Sequence, residues 1–181
     1  MKSKYVAVIA VAVVGMVSIP SRSRAQEPSD PQIVGIVIAA DDIDINYAKI
    51  ALKKSKEKGV RDFAQQMVTD HSAVQKSVRE LAGKLGVTPE DSDTSKGLIA
   101  KSGEITKQLN TLNGKAFDKF YIDNEVTYHK LVTDAVSGVL IPSAKNTELK
   151  SALEGAQPLF LGHLEHAKNV QAAAAGDSMK H

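Results

Sequence analysis

Apolar residues at Val60, Phe63, Met67, Val74, Val78, Leu81 and Leu85 recur at the three-and-four spacing of a helical stripe, so the pattern predicts a helix over 60–85 with one face toward a bundle core. The register demands another core residue at position 71, and that residue is His71. A buried imidazole needs a polar partner, so the question for the other helices is whether they bring polar groups to the same level.

The same pattern predicts three more long helices. Asp30-Pro31 reads as an N-cap and a first-turn proline opening a helix to about Lys58, with Ile36, Ala40, Ile43, Tyr47, Ile50 and Leu52 inward and Gly59 as the left-handed residue that ends it. Asp41, Asp42 and Asp44 in its first half and the lysines of its second half complement the helix dipole. After Gly86, Thr88-Pro89-Glu90 reads as a cap signal and 91–97 as an irregular crossover. A shorter helix through Leu98, Ile105, Leu109 and Leu112 follows, stopped by Asn113-Gly114. A long helix is expected over 115–140 with Phe117, Tyr121, Val132, Val136 and Val139 inward, closed by Pro142. The last runs from Asn146 to Ala174 and should kink at Pro158, which lacks the backbone donor that the Glu154 carbonyl would accept. Four long helices with one long connection give an all-α, ferritin-like four-helix bundle whose long crossover carries an extra short helix.

The first 25 residues change the charge balance. Lys2 and Lys4 precede an apolar run from Tyr5 to Val17, and Ser23-Arg24-Ala25 offers small residues at the positions a signal peptidase reads, so residues 1–25 are expected to be a signal peptide cleaved after Ala25. The remaining boundaries are a flexible lead over 26–30, the bundle over 31–175 and a disordered tail over 176–181. The four basic residues of the first segment account for the positive balance, and without them the formal charge falls from +2 to −2. That gives no electrostatic case for nucleic acid, and no further apolar stretch is long enough to span a membrane. Without cysteine there is no disulfide framework, lipidated cysteine or c-type haem attachment, and an exported chain of this kind must hold together by packing.

The candidate chemistry sits at mid-bundle. Asp44, His71, His129 and His163 lie within about three residues of the predicted helix midpoints, which at ~1.5 Å per residue confines them to a slab of roughly 10 Å. His163 continues the Leu149, Ala156, Phe160 and Ala167 face, and Glu125 and His129 stack one turn apart beside Ile122 and Val132. The candidate metal ligands are therefore His71, His129, His163, Glu125 and Asp44. Imidazole nitrogen with carboxylate oxygen suits Zn, Cu or Fe, and Met67 is a soft neighbour on the His71 face. Two opposed histidines could alternatively clamp a b-type haem. His166 is less inward, and Asp70, turned about 100° from His71, reads as a surface ion-pair partner. The bland alternative is a hydrogen-bonded polar layer in which Asp44, Glu125, Tyr121 or Tyr128 satisfies each imidazole.

Phe63 to His71 (Phe-Ala-Gln-Gln-Met-Val-Thr-Asp-His), then Gly114-Lys115-Ala116-Phe117-Asp118 with Tyr121 and His129, then Pro158-Leu159 with His163-Leu164, resemble the exported bacterial family called domain of unknown function 4142. The resemblance covers about Ile36 to Ala172. It implies a ferritin-like fold and an exported or outer-membrane protein, and it carries no agreed activity. Ferritin-like di-iron enzymes need a Glu-x-x-His on each of two helices. Here Val68 precedes His71 by three residues, His163 precedes His166 by three, and Glu125 precedes His129 by four, so a ferroxidase centre is not expected.

Three functional readings remain. The first is an exported bundle, periplasmic or outer-membrane-associated, that binds a metal ion through the histidine cluster. The second is a structural or partner-binding bundle whose histidines are core hydrogen-bond groups. The third is a redox or metal-assisted enzyme, which no sequence feature demands, and no glycine-flanked nucleophile elbow supports a hydrolase.

Overall fold

The computed structural model describes residues 27–178, with side chains through residue 175; the expected signal segment and the end of the expected tail lie outside the described residues. The chain forms α1 (Asp30–Lys54), α2 (Lys58–Leu85), α3 (Asp93–Thr111), α4 (Gly114–Ala135), a π-helical turn (Val136–Leu140) leading into α5 (Ile141–Ser143), and α6 (Thr147–Ser178). No strand occurs among the described residues, and no helix there is long and apolar enough to cross a membrane. The protein is an all-α bundle of α1, α2, α4 and α6, with α3 laid along α1 in the crossover. Asn46 of α1 donates to Thr106 of α3, and Lys54 caps the α3 carbonyls of Leu109 and Asn110 while its ammonium lies over the Phe117 ring.

Several boundaries differ from the sequence expectation, each for a local reason. The N-cap of α1 is Ser29, not Asp30: the Ser29 hydroxyl accepts from the Gln32 amide, and the Gln32 side chain accepts from the Ser29 amide. This leaves the Asp30 carboxylate free to accept from the backbone of Lys145 and Asn146, where α6 begins. Gly59 does not end α1. The helix stops at Lys54 because Ser55 turns extended, and Arg61 satisfies the Leu52 and Ser55 carbonyls, so Gly59 lies inside α2. Gly86 does end α2, with φ +66°.

The crossover helix starts at Asp93, capped by a Ser92/Ser95 box, rather than at the Thr88-Pro89 signal. The segment before it is strapped down onto α1. Glu90 donates its amide to the Pro31 carbonyl, and a Cβ on Gly35 would stand 2.1 Å from the Glu90 oxygen, so only glycine fits there without displacing the strap.

Val139 was expected to face inward and is 46% exposed. The π-helical turn places one extra residue in the helical path, so the inner position after Val136 passes to Leu140. Pro158 lies inside α6, whose helical path continues on both sides of it and extends to Ser178.

The core has two apolar blocks. One gathers Ile43, Tyr47, Phe63, Met67, Leu109, Phe117 and Ala167 at the end where α1 turns into α2, and the other gathers Ile33, Val37, Val78, Val136, Leu149 and Phe160 at the opposite end. Each large apolar side chain buried there stabilises the fold by roughly 1.5–3 kcal/mol. Between the blocks lies a layer of buried polar groups.

Candidate metal centre

All five residues singled out as candidate ligands are buried in that layer. Asp44, Glu125, His129 and His163 are completely buried and His71 nearly so. One nitrogen from each of His71, His129 and His163 lies within 4.8 Å of the other two, and ligand atoms of Asp44, Glu125 and His129 form a second such group. The helices deliver them as their registers dictate: Asp44 from α1, His71 from α2, Glu125 and His129 from α4, His163 from α6. The ring centroids stand 5.1 Å (His71 and His163), 5.3 Å (His129 and His163) and 5.7 Å (His71 and His129) apart. Phe160 stacks on His71 from one side of the layer, and the Phe63 ring meets His129 edge-on from the other. Rings this close leave no place for a porphyrin between any two of them, so the haem clamp is set aside.

Each imidazole is held by a hydrogen bond at one nitrogen, and its other nitrogen makes none. His71 Nδ1 lies 2.8 Å from Asp41 Oδ1, His129 Nδ1 donates to the Glu125 carbonyl at 3.1 Å, and His163 Nε2 lies 2.9 Å from Asp70 Oδ2. The opposite nitrogens, His71 Nε2, His129 Nε2 and His163 Nδ1, are buried without a hydrogen-bond partner. Both oxygens of Asp44, both of Glu125 and the Tyr121 hydroxyl are in the same condition. His71 Nε2 lies 2.7 Å from Asp44 Oδ2, a close ion contact that lacks the alignment of a hydrogen bond, and His129 Nε2 is 3.6 Å from the same oxygen. Buried polar atoms are ordinarily satisfied, so a concentration of bare ones is informative. An imidazole fixed through one nitrogen to a carboxylate or carbonyl is how proteins orient histidine toward a cation; His129 and His163 are in that state, and His71 reaches it on losing its proton.

Electrostatics set the resting charges. Burial opposes the charge on His71, but the neighbouring Asp44 and Asp41 outweigh it and push the imidazole up to about 10. His129 goes the other way, lowered to about 4 by burial and by its imidazole neighbours, with Asp44 only partly compensating. Burial likewise lowers His163 against the pull of Asp70. Burial alone would raise the Asp44 pKa; the facing imidazoles and Glu125 bring it below the ordinary carboxylate value. Burial, with the Asp44 charge beside it, raises Glu125 well above the ordinary carboxylate value. At neutral pH the layer holds a cationic His71, an anionic Asp44 and two neutral imidazoles.

Two contributors escaped the sequence reading. Asp41 was assigned to the helix dipole, although its i, i+3 spacing from Asp44 already put both carboxylates on one face of α1. Asp70 was placed at the surface as an ion-pair partner; it is turned from His71 as expected, yet α6 lies on that side and His163 takes its carboxylate. Nothing in the sequence says which helix will occupy that flank. His166 is half-buried, bonded to Gln66 and packed against Phe63, outside the converging group. Met67 belongs to the apolar block, and Tyr128 donates to the Ala40 carbonyl rather than to an imidazole.

A family model for a domain of unknown function, DUF4142, matches residues 17–170. The chain belongs to this family. The DUF4142 chain is also similar in fold to a solved structure of CopM in the Cu(II)-bound form, with a TM-score of 0.64 and 13% identity, covering 82% of this chain and 99% of that one. At that identity the likeness speaks for the fold alone. No curated protein was found to match the DUF4142 chain.

Proposed function

We propose that the protein is an exported helical bundle, in the periplasm or at the outer membrane, that binds a divalent transition-metal ion at mid-bundle. His71, His129 and His163 supply nitrogen, Asp44 supplies an anionic oxygen, and Glu125 stands beside them as a further carboxylate. The observation that carries the reading is the convergence of three buried ring nitrogens that make no hydrogen bond, each on a ring whose other nitrogen is already held; an ion would displace the proton of His71. Neutral imidazole with carboxylate favours Zn, Cu or Fe over Ca or Mg. A Cu(II)-bound protein of similar fold is in keeping with that choice. The signal-like residues 1–25 support export.

The test is elemental analysis of the tag-free mature chain beside His71→Ala and His129→Ala. The expected result is about one ion per wild-type chain and background in both variants. Equal background metal in all three would end the proposal.

A second reading has one specific observation behind it. His71 lies within 2.8 Å of Asp41 and 2.7 Å of Asp44, which is how a buried imidazolium pairs with two carboxylates when no ion is present. In that case the layer only fixes which helix meets which, and His71→Ala lowers stability by about 3–5 kcal/mol while metal content stays at background in every variant.

A further inference from the structure

The converging atoms are sealed from solvent, so an ion needs a route to them. The four sides of the layer differ in what closes them. On the α1 side the anchor of His71 is Asp41, whose side chain is 3% exposed. On the α4 side the anchor of His129 is a buried backbone carbonyl. Phe160 and the Phe63 ring close the layer along the bundle axis.

The seam between α2 and α6 is built differently. Here the anchor of His163 is Asp70, with a side chain 26% exposed, so a single imidazole spans the wall from a solvent-touching carboxylate to the bare Nδ1 inside. One turn along the same seam His166 pairs with Gln66 in a second half-buried polar rung. A cation meeting this seam finds a carboxylate outside and an imidazole behind it.

We propose that the ion reaches the centre through the α2/α6 seam, with Asp70 as the outer group that attracts it and as the latch that holds His163 closed over the centre. This rests on the metal-binding reading and adds to it the path and the residue that controls it. Asp70 is a positioning residue: it acts on the centre through His163 and lies outside the converging group. The 2.9 Å contact with Asp70 is the hydrogen bond that holds the His163 ring, whose remaining neighbours are ring contacts with His71, His129 and Phe160.

The rival path has its own marker. Asp42, exposed on α1, bonds Gln75 of α2 at 2.7 Å and lies on the α1/α2 seam. The experiment follows Zn(II) loading of the tag-free, metal-free mature chain and its stripping by a chelator, in wild type, Asp70→Asn, Asp70→Ala and Asp42→Ala. Asp70→Asn keeps an acceptor for His163 and removes the charge, so loading should slow about fivefold and lose its salt dependence, with stripping little changed. Asp70→Ala frees the ring, and stripping should accelerate about tenfold. Asp42→Ala should leave both rates as in wild type.

Loading that ignores Asp70 but responds to Asp42 overturns the route and leaves metal binding standing. Wild type that takes up no Zn(II) overturns both. A merely structural role for Asp70 would alter stripping without touching the salt dependence of loading, and that outcome also overturns the route.

Discussion

Ile33, Leu149 and Phe160 at one end of the bundle, and Phe63, Met67 and Phe117 at the other, bury groups that need nothing beyond contact. The layer between them buries the carboxyl groups of Asp41, Asp44 and Glu125 and three imidazoles, and leaves three ring nitrogens and both carboxyl oxygens of Asp44 and of Glu125 without a hydrogen-bond partner. The apolar blocks are complete as they stand, while the middle holds polar atoms that the fold alone leaves without hydrogen-bond partners. A layer selected only for stability could be replaced by well-packed apolar residues with little loss.

Three experiments test that contrast. The largest expected effect is the pH dependence of the metal-free protein. His71 is raised in the folded state to about 10, so its contribution is full below its unfolded value near 6.5 and is lost as pH rises toward 10. His129 is lowered to about 4, so its contribution is full above 6.5 and is lost as pH falls toward 4. Denaturant midpoints measured across this range should peak near neutrality and fall on both sides, and a level profile between about pH 7 and 9 would contradict the imidazolium at His71. Next, Leu149→Ala should lower stability by about 2–5 kcal/mol in urea titrations while metal per chain is unchanged, because it removes packing in one apolar block only. Lost metal in that variant would mean that block and centre are not separable. The smallest effect expected is from Gly35→Ala, which drives a methyl against the Glu90 carbonyl and should cost about 1–3 kcal/mol, again with metal content intact.

Periodicity alone was enough to place His71, His129 and His163 inward, because an amphipathic stripe fixes the facing of every residue within it. Helix midpoints gave their common height. What periodicity could not give was anything decided between elements. The Asp70 carboxylate is useful only because α6 packs on its flank, and that neighbour is a tertiary fact. Val139 failed because one added residue at the π-helical turn rotates everything after it, and neither Ser137 nor Gly138 announces such an insertion. Gly59 misled because glycine permits a left-handed stop without requiring one, and Arg61 supplied the missing donors instead. Asp41 was legible and was passed over, since a carboxylate early in a helix has a ready explanation in the dipole.

The grip of Asp30 on the start of α6 ties the beginning of the first helix to the beginning of the last. Trimming that went past Asp30 would strip the final helix of the carboxylate that receives its leading amides and, with it, loosen the rod that carries His163. Loss of Ser29 alone would already remove the cap that opens α1, so the first helix and, through Asp30, the last one both depend on the chain being whole from Ser29 onward.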